Sequence, residues 1–314
     1  MDVLSDLLCR AQTGRSTIRQ LIQRPPWALA FAEPPDLTLV AVLGGHGWIR
    51  FDDPGRPPRR LAAGDIALLT GDTDHTICDD PGTPPQVVIR GGRKQPLDAD
   101  PVASRPVGPR SYGDGLPGAT VLLRGAYELH GAVGTRLLEL LPPLAIVAAG
   151  PRTRTPLELL SAEVARDEPG QDAVLHRMLD LLLVLALREW CVRPGGEIPD
   201  RTRALADLAI GRALDLLHDR PAHRWSVAEL ATGAGMSRAA FAARFTELVG
   251  RPPLAYLTDW RMTLAADLLR DNDTPIATVA RTVGYQDAFA FSTAFKRARG
   301  ISPSAWRRAA VPSE

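Results

Sequence analysis

The stretch that decides the fold runs from Pro275 to Trp306 and reads PIATVARTVGYQDAFAFSTAFKRARGISPSAW. Ile276, Val279 and Ala280 are apolar at i, i+3 and i+4, which predicts one face of a short helix. Gly284 breaks that pattern, as a tight turn between helices often requires. Phe291 and Phe295, four apart, predict a second helix with its aromatic side turned to a core. Asp287, Ala288, Ser292, Thr293 and Lys296 are left for the other side. Helix, glycine turn and helix make the helix-turn-helix unit, whose second member can lie in a DNA major groove.

Many helical hairpins carry a glycine turn and bind nothing, so one copy decides little. The pattern occurs twice. Val227, Leu230, Ala231 and Gly235 match Ile276, Val279, Ala280 and Gly284 at an offset of 49 residues. Phe241, Phe245, Gly250 and Pro253 match Phe291, Phe295, Gly300 and Pro303 at an offset of 50. The shift falls at the start of the second helix of the second copy. A repeat of this length is a duplicated supersecondary unit. Between the copies, Pro253 to Leu269 has helical periodicity, and 17 residues make a rod of roughly 25 Å. Such a rod suits two reading helices set about 34 Å apart, one turn of B-DNA.

Here the chain resembles the AraC/XylS family of bacterial transcription regulators. The matching residues are Leu230-Ala231, Gly235-Met236-Ser237, Phe241, Phe245, Gly250, Pro253, Tyr256 and Arg261-Met262. In the second copy they are Ile276, Val279-Ala280, Val283-Gly284-Tyr285, Phe291, Phe295-Lys296 and Gly300-Ile301-Ser302-Pro303. The resemblance covers about residues 210 to 307. It implies double-stranded DNA as a partner, RNA polymerase as a further candidate and a homodimer.

The expected DNA face follows from the outward positions of the two second helices. In the first it holds Ser237, Arg238, Ala239, Ala242, Ala243 and Arg244. Relatives tend to carry Arg where Ala243 stands; Ala can offer only apolar contact, as to a thymine methyl. Arg238 and Arg244 are the candidates for base edges or phosphates. In the second helix it holds Gln286, Asp287, Ala288, Ser292 and Thr293. Asp287 suits a helix cap better than a cytosine contact. Phe289 either packs on a DNA methyl or sugar or belongs to the core, with the core favoured. Ser237, Arg261, Lys296, Arg297 and Arg299 suit phosphates, with an ion pair inside the domain an equal alternative for Arg261.

The whole chain fits this picture. Its 314 residues suit two domains. From Arg201 onward there are 16 basic and 11 acidic residues, a net of +5; the rest carries −4. A basic C-terminal part on an acidic N-terminal part suits a DNA-binding module, though ordinary surface variation explains it nearly as well. No apolar run reaches 18 residues, and the start has no basic region before a long apolar run. Cys9, Cys78 and Cys191 are odd in number and widely spaced, which predicts a reducing cytoplasm.

Toward the N-terminus, residues 1–10 predict a short amphipathic helix. Short apolar runs at 37–43, 48–51, 66–69, 75–78, 86–90 and 121–127, split by turn signals, predict a small sandwich or barrel. This part resembles the cupin-like domain of one branch of the AraC family. The match rests on Arg24-Pro-Pro-Trp27, Gly64-Asp65-Ile66, Asp74-His75 and Gly125-Ala-Tyr-Glu-Leu129. Pro96 to Gly118 reads as a long loop, and helices are expected at 132–141, 157–167 and 171–191. The last is apolar almost all round, so it is buried in the monomer or seals a subunit interface.

The expected fold class is thus α+β in two domains: a cupin-like sensory and dimerisation domain at 1–193, a linker at 194–203, and a DNA-binding domain at 204–314. The helix-turn-helix units lie at about 227–248 and 276–299. The expected function is a sequence-specific, cytoplasmic regulator, an activator with repression as the open alternative, with no catalytic residue and no cofactor. A small-molecule effector is expected in the N-terminal domain, its contacts unassigned; Trp27, Trp48 and Tyr127 are candidates for the mouth. One rival is a metal-dependent cupin enzyme with a regulatory tail, for which His46 and His75 make a poor ligand set. Another is a thiol sensor using Cys9 or Cys78, against which inert burial is the default.

Overall fold

The computed structural model describes residues 2–11, 16–53, 55–97, 105–114, 117–192, 200–270 and 274–310. Contacts divide it into two compact units that are not consecutive pieces of chain. One holds the described residues of Thr13–Glu128 and Leu141–Pro194. The other holds those of Met1–Gln12, Leu129–Leu140 and Gly195–Glu314. The first helix and the segment at 129–140 therefore group with the C-terminal helices.

The β-rich unit contains β1 Thr17–Gln23, β2 Ala28–Ala32, β3 Leu37–Gly44, β4 His46–Phe51, β5 Arg59–Ala62 and β6 Ile66–Thr70. It continues with β7 His75–Cys78, β8 Val87–Arg90, β9 Arg93–Pro96, β10 Ser111–Gly113, β11 Thr120–Tyr127 and β12 Leu144–Val147. They form two six-stranded sheets, ordered β10-β1-β11-β3-β6-β12 and β5-β4-β7-β2-β8-β9. Trp27, Leu29, Val40, Val42, Ile49, Leu69, Ile77 and Leu122 fill the space between them. Strand β3 is buried at each of its first six positions, the sign of a strand covered on both faces.

Two helices, Pro151–Val164 and Gln171–Val192, belong to this unit; in chain order they are α3 and α4. Leu179 of α4 packs so closely on Gly125 of β11 that a Cβ there would stand 2.5 Å from its Cδ1. Tyr127 is fully buried and donates its hydroxyl to the Leu179 carbonyl at 3.0 Å.

Several expectations are corrected here. Tyr127 faces α4, and Trp27 is 1 % exposed within the core, so neither lines a barrel mouth. The predicted loop at 96–118 contains β10, which pairs in parallel with β1; residues 98–104 and 115–116 lie outside the described residues. Strand β9 is exposed throughout, so no apolar alternation announces it. Helix α3 starts at Pro151, six residues early: Pro156 sits inside it, where buried Thr153, Leu157 and Leu160 hold the helical path.

The helical unit comprises α1 Val3–Arg10, α2 Gly131–Leu138, α5 Asp200–Ala206, α6 Leu208–Asp219, α7 Val227–Gly233, α8 Arg238–Val249, α9 Pro253–Arg270, α10 Ile276–Thr282, α11 Ala288–Arg299 and α12 Pro303–Ala310. The expected linker at 194–203 is corrected at its end, since Asp200 to Arg203 are helical in α5; residues 193–199 lie outside the described residues. The 18-residue α9 is the rod, with Trp260, Met262, Ala265, Ala266 and Leu269 buried. Helix α1 is fixed by the Val3 amide donating to Asp215 and by Asp6 against His218 at 3.0 Å. His218 meets the Tyr256 hydroxyl at 2.7 Å and stacks on Trp260 at 4.1 Å. The amides of Ala132 and Val133, at the start of α2, donate to Asp267 of α9 at 2.6 and 3.0 Å.

Candidate nucleic-acid interface

The two helix-turn-helix units are built alike. Helix α7 starts from a capping box of Ser226 and Glu229. Its last carbonyls are met by a turn in which the Met236 amide donates to Ala231 at 2.9 Å; the Tyr285 amide does the same to Ala280 at 2.8 Å. Gly235 and Gly284 take positive φ, +68° and +88°, the left-handed conformation open to glycine. Ser237 then caps α8 and Asp287 caps α11. Those turn bonds match at an offset of 49 and the caps at 50. The extra residue of the second copy is Gln286, in the turn itself, one step before the expected place.

Phe241 and Phe245 of α8, and Phe291 and Phe295 of α11, are fully buried. The opposite side of each helix is open. Arg238, Ala239, Ala243 and Arg244 are exposed with Ala242 half-buried; Gln286, Asp287, Thr293, Lys296 and Arg297 are exposed with Ala288 and Ser292 half-buried.

Exposure does not make these side chains equivalent. Arg244 Nε donates to Asp207 at 2.9 Å, and Asp207 caps α6 through the amides of Ala209 and Ile210. Arg261 donates to the carbonyls of Pro221 and His223 at 2.7 and 2.8 Å. Burial pulls its pKa down, partly offset by Tyr285. It holds the loop before α7 by hydrogen bonds to those two carbonyls, a role inside the domain. Arg299 donates to Thr263 at 2.9 Å and is likewise turned inward. Asp287 accepts from the amides of Phe289 and Ala290, as a cap should. Ser292 and Thr293 donate to the carbonyls of Ala288 and Phe289 one turn back.

The favoured core reading of Phe289 is corrected: it is 80 % exposed. Its position was readable. Phe289, Ser292, Thr293 and Lys296 are spaced i, i+3, i+4, i+7, the stripe opposite Phe291 and Phe295.

The rival readings of the β-rich unit find little geometry. Phe51 is the cross-strand partner of His75. His46 lies five residues back along β4, roughly 16 Å at strand spacing. The two imidazoles cannot share one ion. Among the described residues no cluster of three His, Cys, Asp or Glu side chains is placed to hold a metal. Cys78 is buried, and desolvation pushes its thiol up to about 11, the reverse of a reactive thiolate. Cys9, taken as buried by default, is exposed.

Comparison with known proteins now decides the family. A cupin family model matches residues 2–192 and a helix-turn-helix domain model matches 230–309. A protein of Streptomyces antibioticus named as an AraC-like transcription regulator is 33 % identical over 99 % of this chain and 100 % of its own length. The chain belongs to the AraC-like transcription regulators. The regulator AlkR of Acinetobacter baylyi is 27 % identical over 98 % of this chain and 99 % of its own. The DNA-binding domain of AdpA, solved with a target DNA, is 32 % identical, covers 33 % of this chain and 92 % of that one, and superposes with a TM-score of 0.31. By the two family models and the full-length relative, this AraC-like chain is a DNA-binding transcription regulator with a cupin-like part before its helix-turn-helix units. None of its described helices is long and apolar enough to cross a membrane.

Proposed function

We propose that this regulator reads two adjacent major-groove segments with α8 and α11, and that a small molecule held by the β-rich unit controls it. The observation that carries the reading is the division of each second helix: two phenylalanines buried, an unbroken open side opposite. Arg238, Ala239, Ala242 and Ala243 make the first contact surface. Gln286, Ala288, Phe289, Thr293, Lys296 and Arg297 make the second. Ser237 and Asp287 serve mainly as caps, and Lys296 and Arg297 meet phosphates.

The test is binding to the DNA upstream of its own gene at two salt concentrations. Three to four phosphate contacts give log K a slope near −3 against log salt. An affinity indifferent to salt sinks the reading. Selection of bound genomic fragments then identifies the operator.

The same proposal includes a homodimer. Val174, Met178, Leu181 and Leu185 of α4 follow a 4-3-4 spacing, and Val174 and Leu181 are 44 % and 51 % exposed. That is the apolar seam of a two-helix coiled coil, on a different side of α4 from Leu175, Leu179, Leu182 and Leu183, which face the unit's own core.

A further inference from the structure

Sheet pairing puts a row of side chains across the interior of the β-rich unit. Phe51 pairs with His75, His75 with Phe31 and Phe31 with Ile89, and the row ends at the exposed edge, where Ile89 pairs with Lys94 of β9. In the other sheet, Arg19 of β1 pairs with Arg124 of β11. Arg124 lies two residues from Leu122, which is part of the inter-sheet core, so alternation turns it inward.

Side-chain geometry closes the gap between the sheets. The Arg124 guanidinium stands 4.5 Å from the centre of the Phe31 ring. His75, 2 % exposed, stacks on the same ring at 5.1 Å. The Lys94 ammonium lies 3.1 Å from the centre of the Tyr112 ring.

These basic groups act on one another. Burial first, and Arg19 second, pull Arg124 down to about 10 and Lys94 down to about 8. Burial first, and Arg124 second, pull His75 down to about 4. Among the described residues no carboxylate pairs with Arg124. Its Nη2 reaches only the Thr38 hydroxyl at 3.3 Å, and its Nε is buried with no partner. His75 Nε2 is buried with no partner either, while its Nδ1 faces the Thr73 carbonyl at 3.4 Å. Asp74, the one carboxylate among the described residues that acts on His75, accepts from the Glu33 amide. A guanidinium taken from water with no counter-charge is a costly arrangement in a folded core. It becomes favourable when an anion completes it.

We propose that this cluster is a binding site for a small organic carboxylate, its charge held by Arg124 and its body against Phe31 and Tyr112. The proposal rests on the reading of the β-rich unit as the sensor and names the chemical class of what it senses. The planar guanidinium matches a carboxylate with two parallel hydrogen bonds. Arg19, paired with Arg124 across the strands, adds a positive field that draws the anion in.

The experiment uses the full chain and thermal melting at fixed ionic strength. The probes are benzoate and hexanoate, each against its neutral amide. Both carboxylates are expected to raise the melting temperature saturably, by about 5 °C, and the amides to leave it unchanged. R124M, which keeps the apolar stem, is expected to lose the rise and to melt, without ligand, no lower than the parent. If R124M does not fold, R124K carries the test: it keeps the charge, loses the fork, and is expected to bind at least tenfold more weakly. The site is overturned if the amides act like the acids, if neither acid shifts the melting, or if the shift survives in both variants. DNA affinity in the same preparations separates the two readings. Carboxylates that bind without changing it leave the site and remove the sensor role. Amides that bind and change it do the reverse.

Discussion

Six basic side chains lie on or beside the proposed DNA face, and the fold has employed three of them. Arg244 is tied to the cap of α6, Arg261 to two loop carbonyls and Arg299 to Thr263. Arg238, Lys296 and Arg297 stay exposed. Charge alone therefore does not predict the role. Arg238→Ala is expected to reduce the salt slope of DNA binding by about one unit, and Arg244→Ala to leave that slope unchanged; equal effects on both would remove the distinction. Phe289 gives the opposite case, an apolar side chain in a wet place. Because it is exposed, Phe289→Ser is expected to leave the melting temperature within about 1 °C. Operator affinity is expected to fall about fivefold, the worth of roughly 1 kcal/mol of contact with a thymine methyl or sugar. Lost stability with unchanged affinity would return Phe289 to a structural role.

At the scale of elements, the duplicated unit gives its own control experiment. Gly235 and Gly284 occupy the same turn with the same sign of φ, but their surroundings differ. Nothing lies within 4 Å of a Cβ built on Gly235, whereas one on Gly284 meets Ala222 Cα at 2.8 Å and Arg261 Nη2 at 3.0 Å. Gly235→Ala is expected to cost about 1 kcal/mol, the left-handed penalty alone. Gly284→Ala is expected to cost at least about 2 kcal/mol more, because backbone must move; urea unfolding of both variants reads the difference. For α4, Leu181→Glu is expected to turn a dimer into a monomer in light scattering while folding is kept, since Leu181 is half exposed in the single chain. The helices were legible because their apolar spacing repeats within one or two turns. What stayed hidden depends on distant residues: Arg244 and Asp207 are 37 positions apart, Arg261 and Pro221 are 40. Edge strands β9 and β10 were hidden for another reason, since their pairing comes from backbone and leaves no apolar pattern. The cationic cluster combines both difficulties, because only the sheet register brings β1, β7, β9 and β11 together.

At the scale of the molecule, each compact unit buries one histidine, and the two should respond to acid in the same direction. His75 is held down to about 4, by burial first and Arg124 second, with Thr73 and Asp74 opposing. His218 is also lowered, by burial first, although Asp6 works the other way and Arg136 and Arg10 add to the shift. Both are neutral in the folded protein at pH 7. The unfolded chain takes up its histidine protons near 6.5, before the folded one does. Each group's contribution is therefore present above that value and fades as the pH falls toward the folded pKa. For His75 the loss reaches about 2 kcal/mol by pH 5. Below that point Asp180 and Asp215, whose pKa values burial raises, begin to act in the opposite sense, so the informative window is pH 7 to 5. Calorimetry of the parent is expected to show melting temperatures that fall across this window. In His75→Phe, which extends the row of Phe31 and Phe51, the fall in the β-rich unit should flatten while that of the helical unit persists. A parent profile that is flat from pH 7 to 5 would mean that neither imidazole is held neutral. A bound carboxylate would place a negative charge beside His75 and draw its pKa back up. Benzoate should therefore reduce the acid sensitivity of the β-rich unit in the parent and leave that of R124M as it was.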